Sequence, residues 1–314
     1  MTLIKFLSDT LCMDESDIIK FSSTSPHRYK TYEIPKRNGK GTRTIAHPAK
    51  ELKFFQRLIV SHLEDKLTIH ECAYAYRKGI SIKNNAECHL KTKYLLKMDF
   101  ENFFPSITPE LLFRTLENFN MEPSASDKLI LEGFLFWKHR ENSSLKLSIG
   151  APSSPFISNV IMYEFDAAMQ ETCNAIGITY TRYADDLTFS TNNKDLLFSI
   201  PSKTTSLLEK NAIGLIKINQ DKTVFSSKAH NRHVTGITLT NDNTLSIGRN
   251  RKRLISSMIH QFSHEMLNSN EVSHLQGILS FATHIEPCFY EKMCHKYGKE
   301  TLIKLKKFQA ERQK

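Results

Sequence analysis

Apolar residues recur along the chain in two periods, and the places where the period changes divide it into elements. In "ELKFFQRLIVSHLEDKL", Leu52, Phe55, Leu58, Ile59 and Leu63 fall three and four apart, which predicts an amphipathic helix. Ahead of it, "LIKFLSDTL" and "DESDIIKFS" read as short helices within residues 1–25. "YKTYEI" and "TRTIAH" read as strands, and Asn38-Gly39 between them predicts a hairpin turn. "YLLKMDF" (94–100) is a short apolar strand ending in a charge. Thr108-Pro109-Glu110 then supplies an N-cap, a proline at the first helical position and an early acid. A second long helix is predicted from near Pro155, with Ile157, Val160, Ile161, Phe165 and Met169 on one face. A hairpin follows at 178–190, then a helix over about 202–213, the strand "LIKI" and the hairpin "RHVTGITLTNDNTLSIG". Beyond Arg249 the period is helical to the end. Strands and helices are mixed rather than alternating, which predicts an α+β fold with a separate helical C-terminal part.

The 314 residues suffice for one large or two ordinary domains with a real core. No run of eighteen apolar residues occurs, so no membrane span is predicted. "MTLIKFLSDT" reaches charge too early for a signal peptide. Six scattered cysteines show neither zinc-ligand spacing nor a disulfide framework, and thirteen histidines form no H-E-x-x-H cluster. A reducing, intracellular setting without a structural metal is the expectation. The net charge is +10, and +6 of it lies in residues 249–314, where 12 Lys/Arg meet 6 Asp/Glu. A polyanionic partner fits that balance, and nucleic acid is the commonest one.

One feature works against the hairpin that carries it. In "TRYADDLTFS" (181–190), Asp185 and Asp186 place two like charges side by side at a predicted turn. Phosphoryl and nucleotidyl transfer use two divalent ions held by a few carboxylates. Mg²⁺ favours oxygen ligands from carboxylates and substrate phosphates. Asp99, at the end of the strand 94–100, supplies a third carboxylate if the two strands are neighbours. Because successive strand residues face opposite ways, Asp185 and Asp186 are expected to differ, with Asp185 the direct ligand.

Tyr183-Ala184-Asp185-Asp186 resembles the YxDD active-site hairpin of reverse transcriptases, and further motifs follow in the family's order. "KMDFENFF" resembles the first catalytic motif, which implies catalytic roles for Asp99, Asp185 and Asp186 and a metal site completed by the Phe100 carbonyl. Phe104 matches the bulky position that excludes a ribose 2′-OH. "GAPSSPFISN" resembles the loop and helix that touch the incoming nucleotide, with Gly150 as a backbone contact. "INQDKT" resembles the later motif whose lysine, here Lys222, sits near the triphosphate. "TRTI" and "AYRKG" resemble finger motifs, which makes Arg43 the triphosphate clamp and Arg77 a second candidate. The family usually has Gln-Gly before "APSSP", whereas this chain has Ile149-Gly150, so the glutamine contact is absent.

"NNAECH" and "RHVTGI" narrow the resemblance to bacterial retron reverse transcriptases. It implies RNA-binding roles for Asn85, Ala86 and His89, and for Val234, Thr235 and Gly236. The run "GRNRKR" adds Arg249, Arg251, Lys252 and Arg253 as phosphate contacts. The implied architecture is a right-hand polymerase with fingers (1–95), an antiparallel-sheet palm (96–240) and a helical, basic thumb (241–314). The implied work is Mg²⁺-dependent copying of a structured noncoding RNA from deoxynucleotides. Priming from a guanosine 2′-OH gives a branched RNA–DNA product. An effector protein and a role in antiphage defence, in the bacterial cytoplasm, complete the expectation. The alternatives are a group II intron-like or other bacterial reverse transcriptase and a catalytically inactive RNA-binding scaffold. Phe104 and Ala184 disfavour an RNA-directed RNA polymerase.

Overall fold

Thr42–Pro48 pairs antiparallel with Tyr29–Pro35, the two strands expected around Asn38-Gly39. The computed structural model describes residues 2–36, 41–139, 144–211 and 215–309, so that turn lies outside the described residues. The helix expected after it spans Lys50–Glu64 and buries Leu52, Phe55, Ile59 and Leu63. Phe55 stacks on Phe134 at 4.6 Å between ring centroids. Phe134 belongs to a helix, Ala125–Leu135, that the sequence pattern did not bring out. The helix predicted from Pro155 is two, Ser154–Ile161 and Tyr163–Asn174. They meet at Met162, whose ψ relaxes to 0° while its N–H still donates to the Ser158 carbonyl at 3.2 Å.

The chain divides into two compact units, Met1–Ile80 with Leu96–Val224, and Ser81–Leu95 with Phe225–Lys314. In the first, a sheet runs in the order Thr179–Tyr183, Asp186–Thr191, Tyr94–Glu101, Lys217–Ile218. The strands expected to carry the carboxylates are therefore neighbours. Phe100 packs edge-on to Phe165 at 5.9 Å, which fastens the helix Tyr163–Asn174 to this sheet.

The second unit has its own apolar core. Val234, Ile237 and Leu239 from a three-stranded sheet pack with Ile255, Ile259, Leu275 and Leu279 from helices. Those helices are Arg249–Ser263 and Ser269–Ile285, and Pro287–Tyr297 and Lys299–Lys307 follow, as the helical period beyond Arg249 predicted. A short helix, Ile82–Cys88, opened by a capping box of Ser81 and Asn84, joins this unit by placing Ala86 in its core. No helix among the described residues is long and apolar enough to cross a membrane.

Candidate active site

The strands Thr179–Tyr183 and Asp186–Thr191 leave only Ala184 and Asp185 between the pair Tyr183–Asp186. Two-residue hairpins need a turn whose twist matches the strands, with positive φ at its first or both residues. Ala184 supplies it at φ +57°, in a conformation that costs an L-residue energy. Asp185 thus sits in the turn itself, where strand alternation does not apply. Oxygens of Asp99, Asp185 and Asp186 all lie within 4.8 Å of one another, so both hairpin aspartates reach the cluster. The Phe100 N–H donates to the Asp185 carbonyl at 3.0 Å and locks the turn against the strand that carries Asp99.

Crowded carboxylates resist ionisation. Burial, then the charges of Asp185 and Asp99, push the Asp186 carboxyl up to about 7. Asp185 is likewise raised, by burial and by Asp99, against the opposing pull of Lys222 and Arg43. Lys222 answers part of this demand for positive charge, its ammonium lying 2.8 Å from both oxygens of Asp99. Three converging carboxylates that already attract a cation are a donor set suited to Mg²⁺, a hard ion that prefers oxygen.

A cavity of about 320 Å³ has Tyr76, Phe104, Ile149 and Gly150 among its lining residues, and the charge of Asp185 reaches Tyr76 in its wall. His47, Lys53 and Arg57 add basic groups to its wall. Gly150 has φ +124°, and a Cβ there would stand 3.1 Å from the Ala46 carbonyl. Ile149, the departure from the family's glutamine, turns its carbonyl to the Ala46 N–H at 3.0 Å and lines the same cavity. Arg43 is exposed on the strand Thr42–Pro48, and its charge reaches both Asp185 and Tyr76. Arg77 is turned to its own loop, with Nη1 donating to the carbonyls of Glu71 and Ala73 at 3.0 and 3.1 Å.

The residues expected to bind RNA lie in the second unit, which brings the two motifs together. Val234 and Ile237 flank a two-residue turn with Thr235 at φ +48° and Gly236 at φ +79°. The Thr235 hydroxyl donates at 3.3 Å to the carbonyl of Ile82, the first residue of the helix that carries Asn85 and Ala86 and ends at His89. Asn85, Ala86, His89 and Val234 are buried, so their side chains support this corner from inside. Burial also holds His89 neutral, its ring pushed down to about 3. Of the basic run, Arg251 donates to the Gly236 carbonyl at 3.0 Å, and Lys252 pairs with Glu286 at 2.6 Å. Arg249 and Arg253 are exposed.

Two residues at the site have no role of their own in the sequence reading, although Tyr76 lies within "AYRKG" and Arg182 within "TRYADDLTFS". Tyr76 is a bulky residue held at φ +61°, with half its surface exposed at the cavity. Arg182 is fully buried behind the hairpin and ion-paired with Asp166 at 2.6 Å. A charged residue within the alternating strand "TYTRY" is the one signal that could have marked it.

A strand aspartate facing a two-aspartate hairpin makes a carboxylate cluster that could hold a metal ion, an arrangement suited to nucleotidyl transfer. The family model described as reverse transcriptase (RNA-dependent DNA polymerase) matches residues 34–239. The retron Ec83 reverse transcriptase of Escherichia coli is 46% identical, over 93% of this chain and 94% of the relative. The retron Ec86 reverse transcriptase of Escherichia coli is 32% identical, over 90% of this chain and 87% of the relative. Among solved structures, apo telomerase of Candida tropicalis gives a TM-score of 0.47 at 13% identity, over 85% of this chain and 59% of that one. The chain belongs to the reverse transcriptase family, within it to the bacterial retron enzymes, and is an RNA-directed DNA polymerase.

Proposed function

We propose that this enzyme copies part of a structured noncoding RNA, starting from a guanosine 2′-OH within that RNA. The product is a branched, multicopy single-stranded DNA that stays with the protein, acts in the bacterial cytoplasm and, with an effector protein, serves defence against phage. The observation that carries the reading is the convergence of Asp99, Asp185 and Asp186 in a chain similar over nearly its whole length to retron reverse transcriptases.

In this reading Asp99, Asp185, Asp186 and the Phe100 carbonyl hold Mg²⁺, which when bound neutralises charge on the reacting phosphate oxygens. Arg43 and the basic wall of the cavity orient the triphosphate, with Arg77 buttressing the adjoining loop. Phe104 closes the cavity against a 2′-OH, and the Gly150 backbone admits the nucleotide where a side chain would not fit. Lys222 holds a proton at Nζ that it can give to the leaving pyrophosphate. Residues 1–95, 96–240 and 241–314 act as fingers, palm and thumb. Arg249 and Arg253 meet RNA phosphates directly, while the buried motif residues and Arg251 shape the surface that receives them.

The test is to purify the protein expressed with its neighbouring genomic DNA, extract the bound nucleic acid, and repeat this with Asp185→Asn. A short branched RNA–DNA species, absent from the variant, is expected. RNA without DNA in both samples would instead mark a binding scaffold. DNA made only on an added primer–template would leave a polymerase without retron-type priming.

A further inference from the structure

The fully buried guanidinium of Arg182 has more partners than an ion pair requires. Nε and Nη2 take both oxygens of Asp166, the shortest contact at 2.6 Å. Nη1 instead donates to the Ala184 carbonyl at 3.1 Å, inside the aspartate turn, and to Asn159 Oδ1 at 3.0 Å. Asn159, also fully buried, uses its Nδ2 to donate to the Ala75 carbonyl at 2.9 Å. The backbone of Arg182 grips the same loop twice more, its N–H donating to the Cys72 carbonyl and its carbonyl accepting from the Tyr74 N–H, each at 2.7 Å.

These contacts join two strained pieces of backbone. On one side Ala184 sits at φ +57°, directly before the hairpin aspartates. On the other Tyr76 sits at φ +61°, with its ring at the cavity. Conformations of this kind persist only where surrounding structure over-determines them. Asp166 fixes the guanidinium, the guanidinium fixes the turn, and Asn159 relays that position to the loop. A bidentate, planar donor is needed for this, because one ammonium cannot hold Asp166 and both other oxygens at these angles.

We infer that Arg182 and Asn159 form a positioning brace that sets the metal-binding aspartates and the Tyr76 wall of the nucleotide cavity in register with each other. The inference rests on the reading that Asp99, Asp185 and Asp186 hold the divalent ions. It makes Arg182, Asn159 and Asp166 positioning residues, since all three are fully buried.

Loss of the guanidinium altogether would leave Asp166 buried without a counter-ion, held only by the Tyr180 hydroxyl at 2.8 Å, so the informative variants are Arg182→Lys, which keeps the ion pair, and Asn159→Ala, which keeps both charges. Three quantities are compared with the parent. They are Mn²⁺ affinity by electron paramagnetic resonance without nucleic acid, KM for a deoxynucleotide on a primed RNA template, and melting temperature. The brace predicts a loss of about tenfold in Mn²⁺ affinity and a rise of about tenfold in KM, moving together in both variants, in samples that still melt cooperatively, since sub-ångström misplacement at a reacting centre is costly. Unchanged Mn²⁺ affinity and KM, with activity reduced only as the folded fraction falls, would overturn it. So would failure of both variants to fold, which would assign the network to stability alone. Asp185→Asn is run beside them: if it binds Mn²⁺ as the parent does, the metal reading fails first and the brace has nothing to position.

Discussion

At the scale of single residues, the carboxylate cluster spends stability on readiness to bind a cation. Asp186 has an ordinary carboxyl in the unfolded chain and one raised to about 7 in the folded protein, through burial first and then Asp185 and Asp99. Between those values the folded state holds more protons, so its stability falls as pH rises through the interval. Metal-free protein is therefore expected to melt at a lower temperature at pH 8 than at pH 6 on account of this cluster. Added Mg²⁺ must displace that proton, so its stabilising increment should be larger at pH 8 than at pH 6. Melting curves with and without Mg²⁺ at both values check this, and equal increments would contradict it. The turn gives a second prediction. Ala184 at φ +57° lies where glycine carries no steric penalty, so Ala184→Gly should raise stability by about 1 kcal/mol, read from denaturant midpoints. Gly150 is the opposite case, since Gly150→Ala adds a Cβ 3.1 Å from the Ala46 carbonyl at φ +124°. That variant should lose roughly 1–2 kcal/mol and raise the KM for deoxynucleotide more than it lowers kcat.

Elements show what periodicity can and cannot tell. The hairpins around 38–39 and 184–185, the helix Lys50–Glu64 and the helical C-terminal part were all legible, because each has a dominant period or a turn residue of its own. The neighbourhood of Asp99 and the aspartate hairpin was legible only as a condition of the chemistry, since strand order is not written in either segment. Ala125–Leu135 was hidden because its polar and apolar positions are interspersed around the helix, with Asp127 buried and Leu129 exposed. Tyr76 and Arg182 were hidden for another reason: their roles come from backbone angle and from partners 16 and 23 residues away, Asp166 and Asn159. The RNA-binding role of the motif around Asn85 and His89 is implied by resemblance alone, and both side chains are buried. His89 supplies a test at this scale. Its ring is pushed down to about 3 by burial and returns to an ordinary value on unfolding, so the unfolded chain binds the extra proton between those values. Stability is therefore lost as pH falls below about 6.5, and His89→Gln should flatten that acid limb in melts monitored from pH 7 to 4.

Across the whole molecule, charge and chemistry are kept in different places. The first unit holds the carboxylates, where negative charge is concentrated enough to shift its own titration. Residues 249–314 hold most of the net positive charge. Within that run the four basic residues are not equivalent. Arg251 is tied to the Gly236 carbonyl and lies over the Phe281 ring, and Lys252 is tied to Glu286, so both are committed to the fold. Arg249 and Arg253 are exposed, and in the proposed function they are the pair that releases counterions from RNA. Neutralising either should lower the slope of log affinity for RNA against log salt by about 1, with little change in melting temperature. Arg251→Gln and Lys252→Gln should do the reverse, lowering melting temperature while altering the slope less. Filter binding from 50 to 300 mM salt, about the range in which such slopes are read, separates the two pairs. Equal slopes for all four variants would mean that this unit meets RNA with its structural cations as well, and that its binding and folding are coupled.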